Sequence, residues 1–290
     1  MKRIISCRSS DFASDHTREE LKQSIFASEG RVIMAQTAVE NECMIGGVSN
    51  AELLACSAAD MILLKVLDVE HPVIQGIEEC KNPVTEVKRL TGRLVGINLE
   101  LVGANHLQYE KGTTLSAQTL QAALALQPDF LCLTAYRNRD GNDSEAVLEA
   151  IAFVRTQYDG LLILNKYANA MELEDEMSWE RYVLAGADIL TLPMPGCVAG
   201  VYVEQLAKLA MRIKRTGALV SMSVATSQEG CDQDTMRLLA LSAKQAGADL
   251  YDFGDANANG IAAIENIFTL SMAIRGKRHT YFRIGSSIKR

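Results

Sequence analysis

Short apolar runs recur along the chain at Val32–Ala35, Met61–Leu67, Leu94–Leu99, Phe130–Thr134, Leu161–Leu164, Ile189–Leu192, Ala218–Val224 and Leu250–Phe253. Their starts fall about 30 residues apart, which leaves room for one helix and two loops each time. Runs this short, bounded by turn residues and alternating with helix-period segments, predict parallel strands buried on both faces in βα units. The intervening segments carry helix punctuation. Ser49 precedes Asn50–Ala58; Asn82 precedes Pro83 at a first helical position, and Gly92 ends that helix. Ser116 opens the next helix before Pro128 stops it, and Gly217 and Gly247 close two later ones. A further helix ahead of the first strand starts at the capping box Thr17-Arg18-Glu19-Glu20. Eight units over about 245 residues predict one closed (β/α)8 TIM barrel of α/β class. An open doubly wound sheet is the alternative, and it rarely repeats so evenly. The boundaries read as an N-terminal extension and helix over 1–30, a barrel over 31–275 and a basic tail over 276–290.

Barrel enzymes place their chemistry where the strands end, and that separates two sets of polar residues. Asp60, Asp129, Asp188 and Asp249 each stand just before a strand, so they belong to turns on the floor and to hydrogen bonding there. The residues late in strands or just beyond belong to the rim: Gln36, Glu40, Lys65, Asp68, Asn98, Glu100, Thr134, Tyr136, Arg137, Asn165, Lys166, Thr191, Ser221, Ser223, Thr226, Asp252 and Asp255. Such convergence suits a ligand pocket, or a polar upper layer that satisfies itself.

Two lysines are the sharpest chemical features. Lys65 sits inside the apolar run Met61–Leu67, where an unpaired ammonium would cost several kcal/mol, so Glu100 or Asp68 is expected beside it. It is a structural ion pair, or a substrate-binding or proton-transferring group. Lys166 ends a strand; it could bind an anion, or form a Schiff base if desolvation lowers its pKa. Glu40, Asp68 and Glu100 leave consecutive strands and could hold Mg2+ or Mn2+ with water completing the shell. The loops after strands seven and eight, with Ser227, Gly230, Gly254 and Asp255, have the glycines and small polar residues of a phosphate cradle, although Glu229, Asp232, Asp234 and Asp255 would repel an anion. Cys197 reads as an inert thiol, and His71, His106 and His279 have no metal-ligand spacing; His106 falls in a long stretch, Leu101–Thr114, that could be a lid.

The bulk properties exclude several classes. A net charge of −7 disfavours nucleic acid as a partner. No apolar stretch approaches a membrane span, and the charged N-terminus lacks the apolar region of a secretory signal. Seven scattered cysteines without a CxxC pair suit reduced thiols and a cytoplasmic setting. The tail from Arg275 to Arg290 has six cationic residues and no acid, which suits a solvated or subunit-packing tail, or a lid offering cations to a ligand. A homo-oligomer is the general expectation for such a barrel, and the extra helix and the tail could each cover a barrel end or a neighbouring subunit.

Gly46-Gly47-Val48-Ser49-Asn50-Ala51-Glu52-Leu53, Val87–Arg93 with Gly96-Ile97-Asn98-Leu99-Glu100, Thr226-Ser227-Gln228-Glu229-Gly230 and Ile274–Tyr281 resemble a bacterial barrel family without a settled activity. Its members are often labelled phosphoenolpyruvate phosphonomutase-like and are associated with sugar phosphotransferase genes. The chain departs from these relatives at Tyr136–Gly141, where they carry a Gly-rich turn, and at Tyr251-Asp252-Phe253, where their strand ends in histidine. The phosphonomutase's metal-binding acidic run and lysine-bearing loop have no clear counterpart. The reading of the residues is a lyase, isomerase or epimerase acting on a small phosphorylated sugar or related anionic carbonyl metabolite. Lys65 or Lys166 would engage the carbonyl, Glu100 or Asp252 would shuttle the proton, and Gln36, Asn98, Thr134, Asn165, Ser223 and the last two loops would bind substrate. The alternatives are a non-catalytic sugar-phosphate sensor and a metal-dependent phosphonomutase-like lyase.

Overall fold

The computed structural model describes residues 2–101, 111–136, 144–167, 176–225 and 227–290. Eight strands, β1 (Val32–Ala38), β2 (Met61–Lys65), β3 (Leu94–Leu101), β4 (Phe130–Tyr136), β5 (Leu161–Tyr167), β6 (Ile189–Pro193), β7 (Leu219–Val224) and β8 (Leu250–Phe253), pair in parallel in chain order and close into a barrel. Closure is direct, Val32 to Ala35 of β1 lying beside Leu250 to Phe253 of β8. The chain is therefore a TIM barrel, as the repeating pattern predicts. Outside the strands run α1 (Ser9–Phe12), α2 (Arg18–Phe26), α3 (Asn50–Cys56), α4 (Pro83–Thr91), α5 (Ala117–Ala125), α6 (Ser144–Arg155), α7 (Glu176–Ala185), α8 (Val203–Arg215), α9 (Gln233–Gln245) and α10 (Ile264–Gly285). The caps read from the sequence form: Thr17 and Ser49 accept from the N–H groups of Glu20 and Glu52, and Asn82 from those of Val84 and Thr85.

Inside the barrel, alternation along each strand separates two layers. The lower layer is apolar: Val32, Met34, Met61, Leu63, Leu94, Phe130, Cys132, Leu161, Ile163, Ile189, Leu219 and Leu250 form one cluster. The N-terminal extension plugs its bottom, because Ile4, Cys7, Phe12, Leu21 and Ile25 belong to the same cluster. Burying each such large side chain contributes roughly 1.5–3 kcal/mol, so the extension seals the floor.

The floor repeats one device four times. Asp60, Asp129, Asp188 and Asp249 each accept a hydrogen bond from the N–H of the second residue of the preceding odd-numbered strand: Ile33, Val95, Leu162 and Val220 at 2.9, 2.7, 3.0 and 3.0 Å. Each aspartate also donates its own N–H to that residue's carbonyl. A cation near the end of the helix leading into the same odd strand then grips both the aspartate and the carbonyl two residues before it. Lys88 holds Asp129 and Gln127, Arg155 holds Asp188 and Gly186, and Lys214 holds Asp249 and Gly247. Arg275 closes the ring by holding Asp60 at 2.6 Å and the carbonyl of Ala58.

This arrangement divides the tail. Lys277, Arg278, Lys289 and Arg290 are exposed, as expected of a solvated tail, but Arg275 and Arg283 are buried. The segment runs under the floor instead of forming a lid at the rim: α10 continues through Gly276, whose φ of 68° redirects it. Arg283 reaches the same Asp60 at 2.7 Å and donates to the carbonyls of Cys7 and Ile4. Both guanidiniums are buried because a fully buried carboxylate lies between them.

Candidate functional site

Above the apolar layer the inward positions turn polar. Gln36, Lys65, Asn98, Glu100, Thr134, Asn165, Thr191, Ser221, Ser223 and Asp252 are all buried and bring at least one polar group from every strand into one cup. Lys65 Nζ lies 3.3 Å from Glu100 Oε1. Asn98 Nδ2 donates to that same oxygen at 2.7 Å, and Thr134 Oγ1 donates to Asn98 Oδ1 at 2.6 Å. From β1, Gln36 Nε2 donates to Asp252 Oδ2 at 2.7 Å, which fixes the carboxylate on β8. Lys65 is thus paired with Glu100, one of the two partners the sequence offers, while Asp68 engages the N–H groups of its own loop.

The electrostatics follow from burial. Desolvation pushes the Asp252 carboxyl up to about 6; Gln36, nearby Ser223 and Lys65 pull it down, and Asp255 adds to the rise. Burial also raises Glu100, even against the pull of Lys65. Val66, directly after Lys65, has a φ of 56°, an arrangement that costs a β-branched residue of order 1–3 kcal/mol and is typical of functional sites. Many polar atoms of the cup have no hydrogen-bond partner among the described residues: Gln36 Oε1, Glu100 Oε2, Asn165 Nδ2, Thr191 Oγ1, Ser221 Oγ, Ser223 Oγ and Asp252 Oδ1. Unmet by the protein, these atoms are available to water or to a ligand.

Several expected site residues lie elsewhere. Lys166 is one position out of phase with inward-facing Asn165, so it leaves the barrel and donates to Tyr182 Oη at 2.7 Å in the helix layer, with its ammonium over the Tyr182 ring. It cannot meet a ligand in the cup. Glu40, Asp68 and Glu100 are not gathered into a metal site, and no group of three or more His, Cys, Asp or Glu among the described residues could hold an ion. Glu40 is exposed, and Asp68 turns back on its own loop, accepting from the N–H groups of Glu70 and His71. His106, Arg137 and Thr226, with the side chain of Tyr136, lie outside the described residues. Cys197 is buried and its thiol is pushed up to about 12, chiefly by burial, so it is inert.

The loops after β7 and β8 depart from the expected phosphate cradle in one decisive respect. Glu229, which the sequence reading treated only as an obstacle to anions, is 1% exposed and folds into the cradle itself. Its Oε1 presses on Gly254, where a Cβ would stand 2.2 Å away, and the backbone N–H groups of Glu229 and Ala256 act on its carboxylate. Its Oε2 has no partner among the described residues. Ser227 and Gly230 are exposed beside it, and Asp255 is half-buried. A carboxylate in a Gly-flanked loop after a barrel strand was the signal that could have found it.

A family described as a domain of unknown function (DUF7916) matches residues 5–290. No curated protein matches in sequence. Among solved structures, the chain is similar to an archaeal fructose 1,6-bisphosphate aldolase at 14% identity and a TM-score of 0.56, over 87% of this chain and 97% of that one. It is similar to an HMG-CoA lyase of Bacillus subtilis at 13% identity and a TM-score of 0.55, over 90% and 92%. A methyltransferase from Methanosarcina mazei is also similar, at 14% identity and a TM-score of 0.54, over 84% and 93%. Likeness at these identities establishes the barrel and leaves chemistry to the site. No helix among the described residues is long and apolar enough to cross a membrane.

Proposed function

The chain belongs to the DUF7916 family, and we propose that it is an enzyme of the lyase or isomerase class that moves a proton beside the carbonyl of a small, sugar-like metabolite. The carrying observation is the buried Lys65–Glu100 pair sharing one cup with Asp252, whose pKa of about 6 suits a base at neutral pH. The ion pair makes Lys65 a fixed positive charge, placed to accept the partial charge of a carbonyl oxygen. Asp252 Oδ2 is tied to Gln36, while Oδ1 is open to take the proton from the adjacent carbon. The C–H electron pair then forms the carbon–carbon double bond of an enolate, and the carbonyl π electrons settle on the oxygen facing Lys65. Return of the proton to the former carbonyl carbon, with the hydroxyl proton of the enediol passing from the neighbouring oxygen to the first, gives isomerisation. Expulsion of a group from the β-carbon with its bonding electrons, and its protonation by water, gives a lyase.

The metal-dependent phosphonomutase-like reading asks for Glu40, Asp68 and Glu100 in one shell, so the lysine–carboxylate chemistry is the better supported of the two. The test is deuterium wash-in. The full chain is incubated in D2O with aldoses, ketoses and keto acids, and exchange at the α-carbon is read by NMR. Wild type should exchange at least one of them, and Asp252→Asn should lose about 10²–10⁴-fold of that rate. Undiminished exchange in Asp252→Asn sinks the assignment of the base. A ligand that binds the cup without exchange or turnover would mark a sensor instead.

A further inference from the structure

We infer that the ligand of this cup is an unphosphorylated, amine-bearing polyol, and that Glu229 selects it by occupying the place where a barrel of this kind would hold a phosphate. The inference rests on the location of the site proposed above and adds the class of ligand it takes.

Barrels commonly bind phosphate on backbone N–H groups of the last two loops. Here Glu229 sends its carboxylate there from the β7 loop, and Gly254 at the end of β8 is what lets it lie so close. With a side chain at position 254, Oε1 would have no room. The site is therefore provided with an anion by the chain itself. A phosphate monoester, carrying about −1.5 to −2 charges at neutral pH, would have to displace it and then sit among Glu229, Asp252, Asp255 and Glu100.

The unmet hydrogen-bonding capacity points the same way. Gln36 Oε1, Glu100 Oε2, Glu229 Oε2 and Asp252 Oδ1 are acceptors, three of them carboxylate oxygens. The hydroxyls of Thr191, Ser221 and Ser223 can accept or donate, and Asn165 Nδ2 alone in this set must donate. The dianion of a phosphate monoester has only acceptors to offer such a lining. An ammonium offers three donors and no acceptor, and neighbouring hydroxyls of a polyol answer the serines and the threonine. Charge agrees: Glu100, Glu229 and Asp252 are buried with Lys65, so a ligand cation offsets carboxylate charge that Lys65 does not. Burial, with Asp255 and Asp252 adding to it, pushes the Glu229 carboxyl up, and no cation is paired with it among the described residues.

The experiment reads binding, by calorimetry and thermal shift on the full chain. The probes are matched triplets of hexoses and pentoses, each comprising the neutral sugar, its 2-amino-2-deoxy form and its phosphate ester, together with inorganic phosphate. The amine member should bind wild type tightest. Glu229→Gln should weaken the amine by about tenfold to a hundredfold while leaving the neutral member unchanged. Glu229→Ala empties the cradle, so inorganic phosphate should stabilise that variant and not wild type. A phosphate ester that binds wild type tightest overturns the inference, as does inorganic phosphate stabilising wild type and Glu229→Ala alike. Silence of every triplet overturns it too. Loss of deuterium wash-in with amine selectivity intact would defeat only the enzymatic reading, and reversed selectivity with wash-in intact would defeat only this one.

Discussion

Replacing Asp60 with asparagine keeps the side chain's shape and leaves an oxygen for the Ile33 N–H, yet removes the charge shared by two buried guanidiniums. Asp60 and Arg275 side chains are 0% exposed and Arg283 is 1% exposed, with contacts of 2.6 and 2.7 Å. Breaking a buried pair from one side costs about 3–5 kcal/mol, because the remaining charge stays buried without its partner. The other three floor aspartates supply internal controls with the same backbone hydrogen bond and graded burial, Asp129 and Asp249 each with one cation and Asp188 with Arg155 and, at 2.6 Å, Arg18. The Lys88–Asp129 pair is 26% and 17% exposed, so Asp129→Asn should cost about 1 kcal/mol or less. Asp188→Asn, with Arg155 at 12% exposure, and Asp249→Asn, with Lys214 at 32%, should fall between in that order. Guanidinium titration at pH 7 reads each as a shift in midpoint at unchanged slope. The pH dependence has a definite sign. Burial raises the Asp60 carboxyl, but Arg275 and Arg283 more than offset it and leave it below its ordinary value. Its contribution is therefore complete above an unfolded pKa of about 3.9 and is lost as pH falls through the folded value. The gap between wild type and Asp60→Asn should close only in acid. Equal losses at all four aspartates would refute the argument that burial sets the cost.

Asp252 behaves oppositely: its folded pKa of about 6 exceeds the unfolded value, so its charge weakens the fold as pH rises through that window and the burden disappears below about pH 4. Asp252→Asn should thus raise the melting temperature at pH 7.5, by an amount equivalent to about 3 kcal/mol, and match wild type at pH 4; a loss at pH 7.5 would contradict this. Lys65→Met should leave Glu100 buried without its cation and destabilise by about 3–5 kcal/mol, and adding Glu100→Gln should restore most of that stability without restoring exchange. A double variant no more stable than the single one would break the pairing argument. Lys166→Met should leave exchange and ligand affinity unchanged, since its ammonium points to Tyr182; loss of exchange without loss of folding would return Lys166 to the site.

The chain's local chemistry determined much of this molecule. Apolar runs recurring with helix caps between them specify eight βα units, and the caps at Thr17, Ser49 and Asn82 form because their partners lie within one turn. Position within each unit also separated Asp60, Asp129, Asp188 and Asp249 on the floor from Gln36, Lys65, Asn98, Glu100 and Asp252 on the rim. What local pattern could not decide was facing. Strands covered on both sides are apolar at every position, so alternation gives no sign of which set points inward, and Asn165 and Lys166 look equally suitable. Closure of the barrel fixes that phase, sending Asn165 into the cup and Lys166 to Tyr182. Charge was likewise undecided by sequence alone: a run of cations reads as solvated until a carboxylate more than 200 residues away buries Arg275 and Arg283. The loop holding Glu229 reads as a phosphate cradle until the ends of β7 and β8 are brought side by side. Each of these outcomes depends on a contact between distant segments, and such contacts exist only once the tertiary structure has formed.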